Sequence, residues 1–193
     1  MIRLLATLVL SLSLFSCSTS RSGVRGFDAT RSLPAGGLGD RHPADIAVAP
    51  VTDQTSQQNA PIVPLREALC VGLVERLYTP LDLDYVDGAW SESAFLGEVP
   101  PDALLVVTVT RWDTTRLYST GTLVATAELR LFEGGRAEGE ALWAVSIQRQ
   151  LELGDGQSLP PGARKNVEQK AVELFAREAL EELPARDPVA AHS

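Results

Sequence analysis

The sequence predicts an α+β domain with an α/β-like start. Its expected core is a mixed, mainly antiparallel sheet of about five strands in the order β-α-β-β-β-β-α, with two main helices packed on it. Three observations carry this expectation. Residues 102–112 form an apolar strand pattern, and residues 122–132 and 142–153 alternate between apolar and polar positions. Helical stripes of apolar residues precede and follow these runs, so both helices must bury one side against a shared sheet.

The chain opens with Met1-Ile-Arg3 and an apolar run from Leu4 to Phe15 interrupted by Thr7, Ser11 and Ser13. One positive charge followed by about a dozen apolar residues is the layout of a secretory signal peptide. The run is too short to cross a bilayer, which takes roughly 20 apolar residues. Leu14-Phe15-Ser16-Cys17 then resembles a bacterial lipobox, in which the cysteine is lipidated and becomes the new N-terminus. Residues 1–16 are therefore read as signal peptide and Cys17 as the lipidation site. Residues 18–42 are rich in Ser, Gly and Arg and read, with Cys17, as a flexible tether. A tether of about 25 residues spans roughly 25–30 Å as a random coil.

A single domain is expected over residues 43–183. It starts with a short strand, Ala44 to Pro50, followed by a polar loop to Ala60. Pro61 or Pro64 opens a helix, where the missing N–H of proline costs nothing. Ile62, Leu65, Leu69, Leu73 and Leu77 form its apolar stripe, and Thr79-Pro80 ends it. Leu83 to Val86 reads as a second short strand closed by Asp87-Gly88. Residues 89–101 are ambiguous, with one helical turn or an extended run before Pro100-Pro101. Leu104 to Val107 is apolar on both faces, the mark of a central strand covered from both sides. The two alternating runs, joined by the Gly-rich loop 133–140, form a hairpin with one wet face. A last helix carries Val167, Ala171, Leu174, Phe175 and Leu183 on its buried side. Pro184 stops it, and residues 184–193 are read as a disordered tail.

Composition narrows the function. The 193-residue precursor has a net charge of −8, and removal of Arg3 makes the body one unit more negative. No stretch clusters Lys and Arg as phosphate neutralisation requires, which argues against nucleic-acid binding. With Cys17 lipidated, Cys70 stands alone in Leu69-Cys70-Val71 and reads as a small buried hydrophobe.

No nucleophile elbow, P-loop or dinucleotide fingerprint is present. His42 falls in the tether and His192 beside the C-terminus, so no histidine is available for acid–base work in the domain. Asp82, Asp84 and Asp87 approach a calcium-loop spacing, but Val86 and Ser93 occupy two required ligand positions. Glu128, Glu133, Glu138 and Glu140 read as the wet face and loop of the hairpin. No catalytic residue, cofactor site or metal site is assigned, and the chain does not read as an enzyme. Trp112, Tyr118 and Trp143 are either lids of the core or an aromatic partner surface.

Ile46-Ala-Val-Ala-Pro-Val-Thr-Asp53 resembles the opening strand of the CsgG, LpoB and TolB N-terminal superfamily of periplasmic α/β modules. Residues 102–112, 122–132 and Glu140-Ala-Leu-Trp143 resemble strand patterns of a set of Gram-negative lipoproteins. The likeness covers residues 44–182. The loop 133–140 is longer than the usual turn, and the segment 87–101 is short for the family. The resemblance supplies no catalytic residues, and it implies action by protein contact. The expected function is that of a non-catalytic accessory or scaffold in envelope assembly or secretion, binding an envelope protein and possible as a homo-oligomer. Its expected place is the outer membrane, lipid-anchored and facing the periplasm, since Ser18 and not Asp follows the cysteine. The alternatives are a peptidoglycan- or glycan-interacting protein or hydrolase, and a ring-forming secretion component like CsgG.

Overall fold

The strand-forming pattern of residues 102–153 builds the centre of one sheet, and the helices before and after it cover one side. The structure is a computed structural model that describes residues 29–33, 37–153 and 164–187. The first half of the chain forms β1 (Ala29–Leu33), α1 (Leu38–Arg41), β2 (Asp45–Val48), β3 (Thr52–Asp53), α2 (Ile62–Glu75) and β4 (Thr79–Pro80). There follow α3 (Leu83–Ala89), β5 (Trp90–Ser91), β6 (Ala94–Phe95) and β7 (Ala103–Asp113). The chain closes with α4 (Leu117–Thr120), β8 (Thr122–Glu133), β9 (Trp143–Glu152) and α5 (Arg164–Ala179).

Among the described residues the main sheet has seven strands rather than about five, ordered β1-β9-β8-β7-β2-β4, with β3 also paired to β7. The chain is α+β with a mixed sheet. β7, β8, β9 and β1 are antiparallel, whereas β2, β3 and β4 join in parallel. β2 and β3 are one strand broken at Pro50: Ile46 lies opposite Ala103, and Thr52 opposite Thr108. Proline has no N–H to give to a ladder, so the run must break there.

Alternation decides what each face buries. Leu123, Ala125, Ala127, Leu129 and Leu131 of β8, with Trp143, Val145, Ile147 and Leu151 of β9, are buried as their period-2 pattern requires. They pack against Leu65, Leu69 and Leu73 of α2 and against Val172 and Phe175 of α5. On the opposite face, Leu104, Ala47 and Ala49 meet Val86 of α3 and Phe95 of β6. This second layer explains why β7 is apolar on both sides.

Four expectations are corrected. Leu83 to Val86 is helical: Asp82 Oδ1 accepts from the Tyr85 N–H at 3.1 Å and caps α3. Leu83 and Val86 fit a spacing of three as well as an extended run, and the cap decides. The strand pairing at that edge falls instead to Thr79–Pro80. Residues 29–33, assigned to the tether, form β1 on β9, and Leu38 to His42 fold as α1 with His42 as its C-cap. The outer edge of β9 offers unpaired backbone groups that any extended segment satisfies, whatever its side chains. Finally, residues 184–187 pack back. Tyr78 Oη donates to the Pro184 carbonyl at 2.8 Å, and the Arg186 N–H donates to the Arg76 carbonyl at 2.9 Å. Residues 188–193 lie outside the described residues.

One buried charge joins three of these elements. Arg66 of α2 is only 7% exposed. Its Nε and Nη2 donate to the Val48 carbonyl at 3.0 and 2.7 Å, and Nη1 pairs with Asp87 of α3 at 2.5 Å. β4 pairs only Asp45 and Ile46 of β2, so the guanidinium supplies donors beyond the end of that short ladder. Arg66→Ala is expected to cost about 2–3 kcal/mol in urea unfolding, because it strands a buried carbonyl. Asp87→Asn, on the half-exposed side of the pair, should cost under about 1 kcal/mol. Equal midpoints for Arg66→Ala and wild type would contradict this role.

Candidate functional site

The structure separates the three aromatic candidates. Trp112 is buried, although strict alternation from the inward positions 103, 105, 107 and 109 would turn it outward. A register shift between Val109 and Arg111 leaves Thr110 without a strand partner and reverses the alternation. Trp112 then meets Phe175 edge-to-face, ring centroids 5.5 Å apart. Trp143 is 1% exposed, and its Nε1 donates to the Glu182 carbonyl at 3.2 Å. Both tryptophans are core residues, so of the two readings the sequence leaves open the structure takes the core lid for them and not the partner surface. Tyr118 alone is half-buried: its hydroxyl bonds Glu168, and the Arg164 guanidinium stands 5.1 Å above its ring. Cys17 lies outside the described residues.

The acidic candidates have structural work. Glu128 pairs with Arg130 at 2.5 Å, and Glu133 with Arg41 at 2.8 Å. Asp82 caps α3 and Asp87 pairs with Arg66. Among the described residues no three His, Cys, Asp or Glu side chains gather as a metal site would need. Burial pushes the Cys70 thiol up to about 11, with Glu67 adding to the shift and Arg66 opposing it. It is a protonated, unreactive thiol at neutral pH.

The surface that pattern reading misses is the outer side of α2. Val63, Val71 and Val74 are 62%, 61% and 56% exposed. Ile62 and Leu77, expected in the buried stripe, are exposed as well. The signal is present in the sequence: Ile62-Val-Pro-Leu-Arg-Glu-Ala-Leu-Cys-Val-Gly-Leu-Val-Glu75 is apolar all round, more than one buried stripe needs. Beside it, α2 and α5 enclose a groove of about 510 Å³ between Glu67, Val71 and Glu75 on one wall and Lys170, Glu173 and Arg177 on the other. Gly72 permits the approach of the two helices, since a Cβ there would lie 2.8 Å from Leu180 Cδ1.

A second, polar cleft of about 260 Å³ lies between the loop 55–59 and residues 110–115. Asp53 holds the two ends of that loop, accepting from the Thr55 and Ala60 N–H groups at 2.8 and 2.9 Å. Burial raises the Asp53 pKa, but hydrogen bonds from Thr55 and from the Ala60 N–H outweigh this and lower it. Asp113 is held down to about 2 by hydrogen bonds from Thr115 and then from Arg111.

No protein-family model matches the chain, and no match to a curated protein is found. Solved structures do match. PelC from Paraburkholderia phytofirmans, a dodecamer, aligns over 83% of this chain and 99% of its own, with a TM-score of 0.52 and 15% identity. The chain shares the PelC fold. A single-substitution variant of PelC, also a dodecamer, aligns with a TM-score of 0.52 and 14% identity over 82% of this chain and 99% of its own. The lipoprotein GNA1162 from Neisseria meningitidis aligns over 69% of this chain and 99% of its own, with a TM-score of 0.41 and 20% identity. At these identities the likeness to PelC concerns architecture.

Two measurements check this account of the residues. Trp143→Ala should destabilise the domain by about 3–5 kcal/mol in chemical unfolding, as loss of a core tryptophan does. A folded, equally stable variant would return Trp143 to the surface. Because the folded pKa of Asp113 is depressed, its contribution is present above the ordinary 3.8 and is lost as pH falls through about 2. In thermal melts across this range, Asp113→Asn should flatten the acid limb. An unchanged limb would mean that the hydrogen bonds from Thr115 and Arg111 do not hold the carboxylate.

Proposed function

We propose that the chain is a non-catalytic, lipid-anchored envelope protein that acts by protein contact, as an accessory or scaffold in envelope assembly or secretion. The observation that carries this reading is Leu14-Phe15-Ser16-Cys17 at the end of a short apolar export segment. Cys17 is the acylated anchor. Ser18 directs the protein to the outer membrane, with the body in the periplasm. Glu133, Asp87, Glu128 and Glu178 close ion pairs, an arrangement suited to holding shape.

Contact begins with a second copy of the chain. The outer side of α2 presents Val71 and Val74 to solvent, with Val63 two turns away beyond exposed Glu67, and exposed apolar surface rimmed by polar residues is the usual mark of an interaction site. The dodecamers formed by PelC support a ring of whole domains. They favour the ring-forming alternative in a particular form. The apolar side of β8 and β9 already faces α2 and α5, so a ring would be built from folded subunits and not from hairpins inserted into a membrane barrel. We also propose membership of the wider superfamily of CsgG, LpoB and TolB N-terminal modules, on the likeness of residues 46–53 to its opening strand.

The test is the size of the full lipoprotein in mild detergent, by light scattering. A discrete oligomer is expected, with Val71→Glu/Val74→Glu shifting it to monomer while the circular dichroism spectrum stays folded. A wild-type monomer would overturn self-assembly. Crosslinked envelopes returning no reproducible protein partner, self included, would overturn the contact reading as a whole.

A further inference from the structure

We infer that the layer formed by α3, β5, β6 and the segment up to Pro101 is a docking surface for a basic polypeptide segment that also carries aliphatic side chains. This layer packs on the face of the sheet opposite α2 and α5. It is a different surface from the one proposed for self-assembly, and the inference rests on neither that assembly nor the anchor.

The surface is built around a strap, residues 96–99. Leu96 and Val99 are 65% and 62% exposed. The Leu96 N–H donates to the Ala89 carbonyl at 2.8 Å, and the Val99 N–H donates to Tyr85 Oη at 3.0 Å. Gly97 between them lies so near that a Cβ there would collide with the Phe95 ring and the Tyr85 hydroxyl. Tyr85 and Phe95 meet edge-to-face, ring centroids 5.4 Å apart. Behind them, Phe95 and Val86 join Ala47, Ala49 and Leu104 of the sheet. The loop after β8 closes the other side: the Phe95 N–H donates to the Gly135 carbonyl at 2.7 Å, and the Ala137 N–H to the Ser93 carbonyl at 3.0 Å. The strap is held at both ends, so its two aliphatic side chains are presented to a partner at little ordering cost.

Charge names the partner. Asp84 of α3, Glu92 and Glu98 beside the strap, and Glu138 and Glu140 of the loop after β8 are exposed. Among the described residues none of these carboxylates is in an ion pair. The other acids of the layer are engaged. Asp82 caps α3, Asp87 pairs with Arg66, Glu133 pairs with Arg41, and Asp102 accepts from the Ala44 and Asp45 N–H groups. Exposed Arg136, on the same loop, is the base of this layer left without an acid partner among the described residues. The walls of the groove between α2 and α5 carry both signs, whereas this layer is acidic. Such a surface draws cations and repels a second copy of itself. Lys and Arg are cations whose apolar stems lie along aliphatic surface while their charged heads stay in water. A segment alternating them with Leu or Val therefore satisfies the acidic rim and covers Leu96 and Val99 together.

Hydrogen exchange on the full chain in neutral detergent, titrated with the peptide Lys-Leu-Lys-Val-Lys, tests this. Residues 84–99 and 135–140 should exchange more slowly with the peptide bound, and α2 should be unaffected. The peptides Lys-Ser-Lys-Ser-Lys and Glu-Leu-Glu-Val-Glu, which keep only the charge or only the aliphatic groups, should protect neither segment. Glu92→Gln/Glu98→Gln should weaken binding about three- to tenfold, and Leu96→Ser/Val99→Ser by about tenfold or more. Both variants should keep the wild-type melting curve, since all four side chains are exposed. Equal protection by Lys-Ser-Lys-Ser-Lys, protection confined to α2, or no protection by Lys-Leu-Lys-Val-Lys would each overturn the inference.

Discussion

The architecture depends on how the chain completes a strand that stops too soon. β2 lies against central β7, but Pro50 breaks its ladder and β4 covers only its first two residues. Arg66 reaches from α2 past that edge, donates twice to the Val48 carbonyl, and pairs with Asp87 of α3. One side chain thus fastens the helix of the main core to the helix of the second layer. A buried charge is costly unless its donors are met. Here Val48 and Asp87 meet it at the junction of α2, β2 and α3, so these elements keep one relative position.

With that junction fixed, the large residues sort themselves. The bulge at Thr110 turns Trp112 inward onto Phe175, and the Trp143 indole is satisfied by the Glu182 carbonyl. With both tryptophans inside, the exposed aliphatics include those of α2, Val63, Val71 and Val74, and those of the segment before β7, Leu96 and Val99. In the proposed assembly a neighbouring copy covers Val63, Val71 and Val74, which this domain displays to water. The chain shares the fold of PelC, and the proposed assembly is one of whole domains of that fold.

The strands over 102–109, 122–132 and 142–153 were legible because period-2 burial writes itself directly into side-chain type. Leu123 to Leu131 and Trp143 to Leu151 could face the core in one way only. The buried stripe of α2 was equally legible at Leu65, Leu69 and Leu73. The rest depends on contacts that leave no local pattern. β1 is held through its backbone, so Thr30, Arg31 and Ser32 give no strand signature. Leu83 to Val86 suits two periods, and the Asp82 cap chooses between them. The burial of Trp112 follows from a bulge that its neighbours do not announce. Of the candidate site residues, Tyr118 stands at the surface between Glu168 and Arg164, and Cys17 lies outside the described residues.

The proposed protein is a sheet-and-helix module anchored at Cys17, with exposed valines on α2 open to assembly. What is proposed about location follows from that anchor. The most direct measurement is the intact mass of the protein extracted from native envelopes, together with the mass of its N-terminal peptide. The account predicts loss of residues 1–16 and a peptide beginning at Cys17 that carries acyl chains. An unmodified cysteine, or a retained leader, would contradict it.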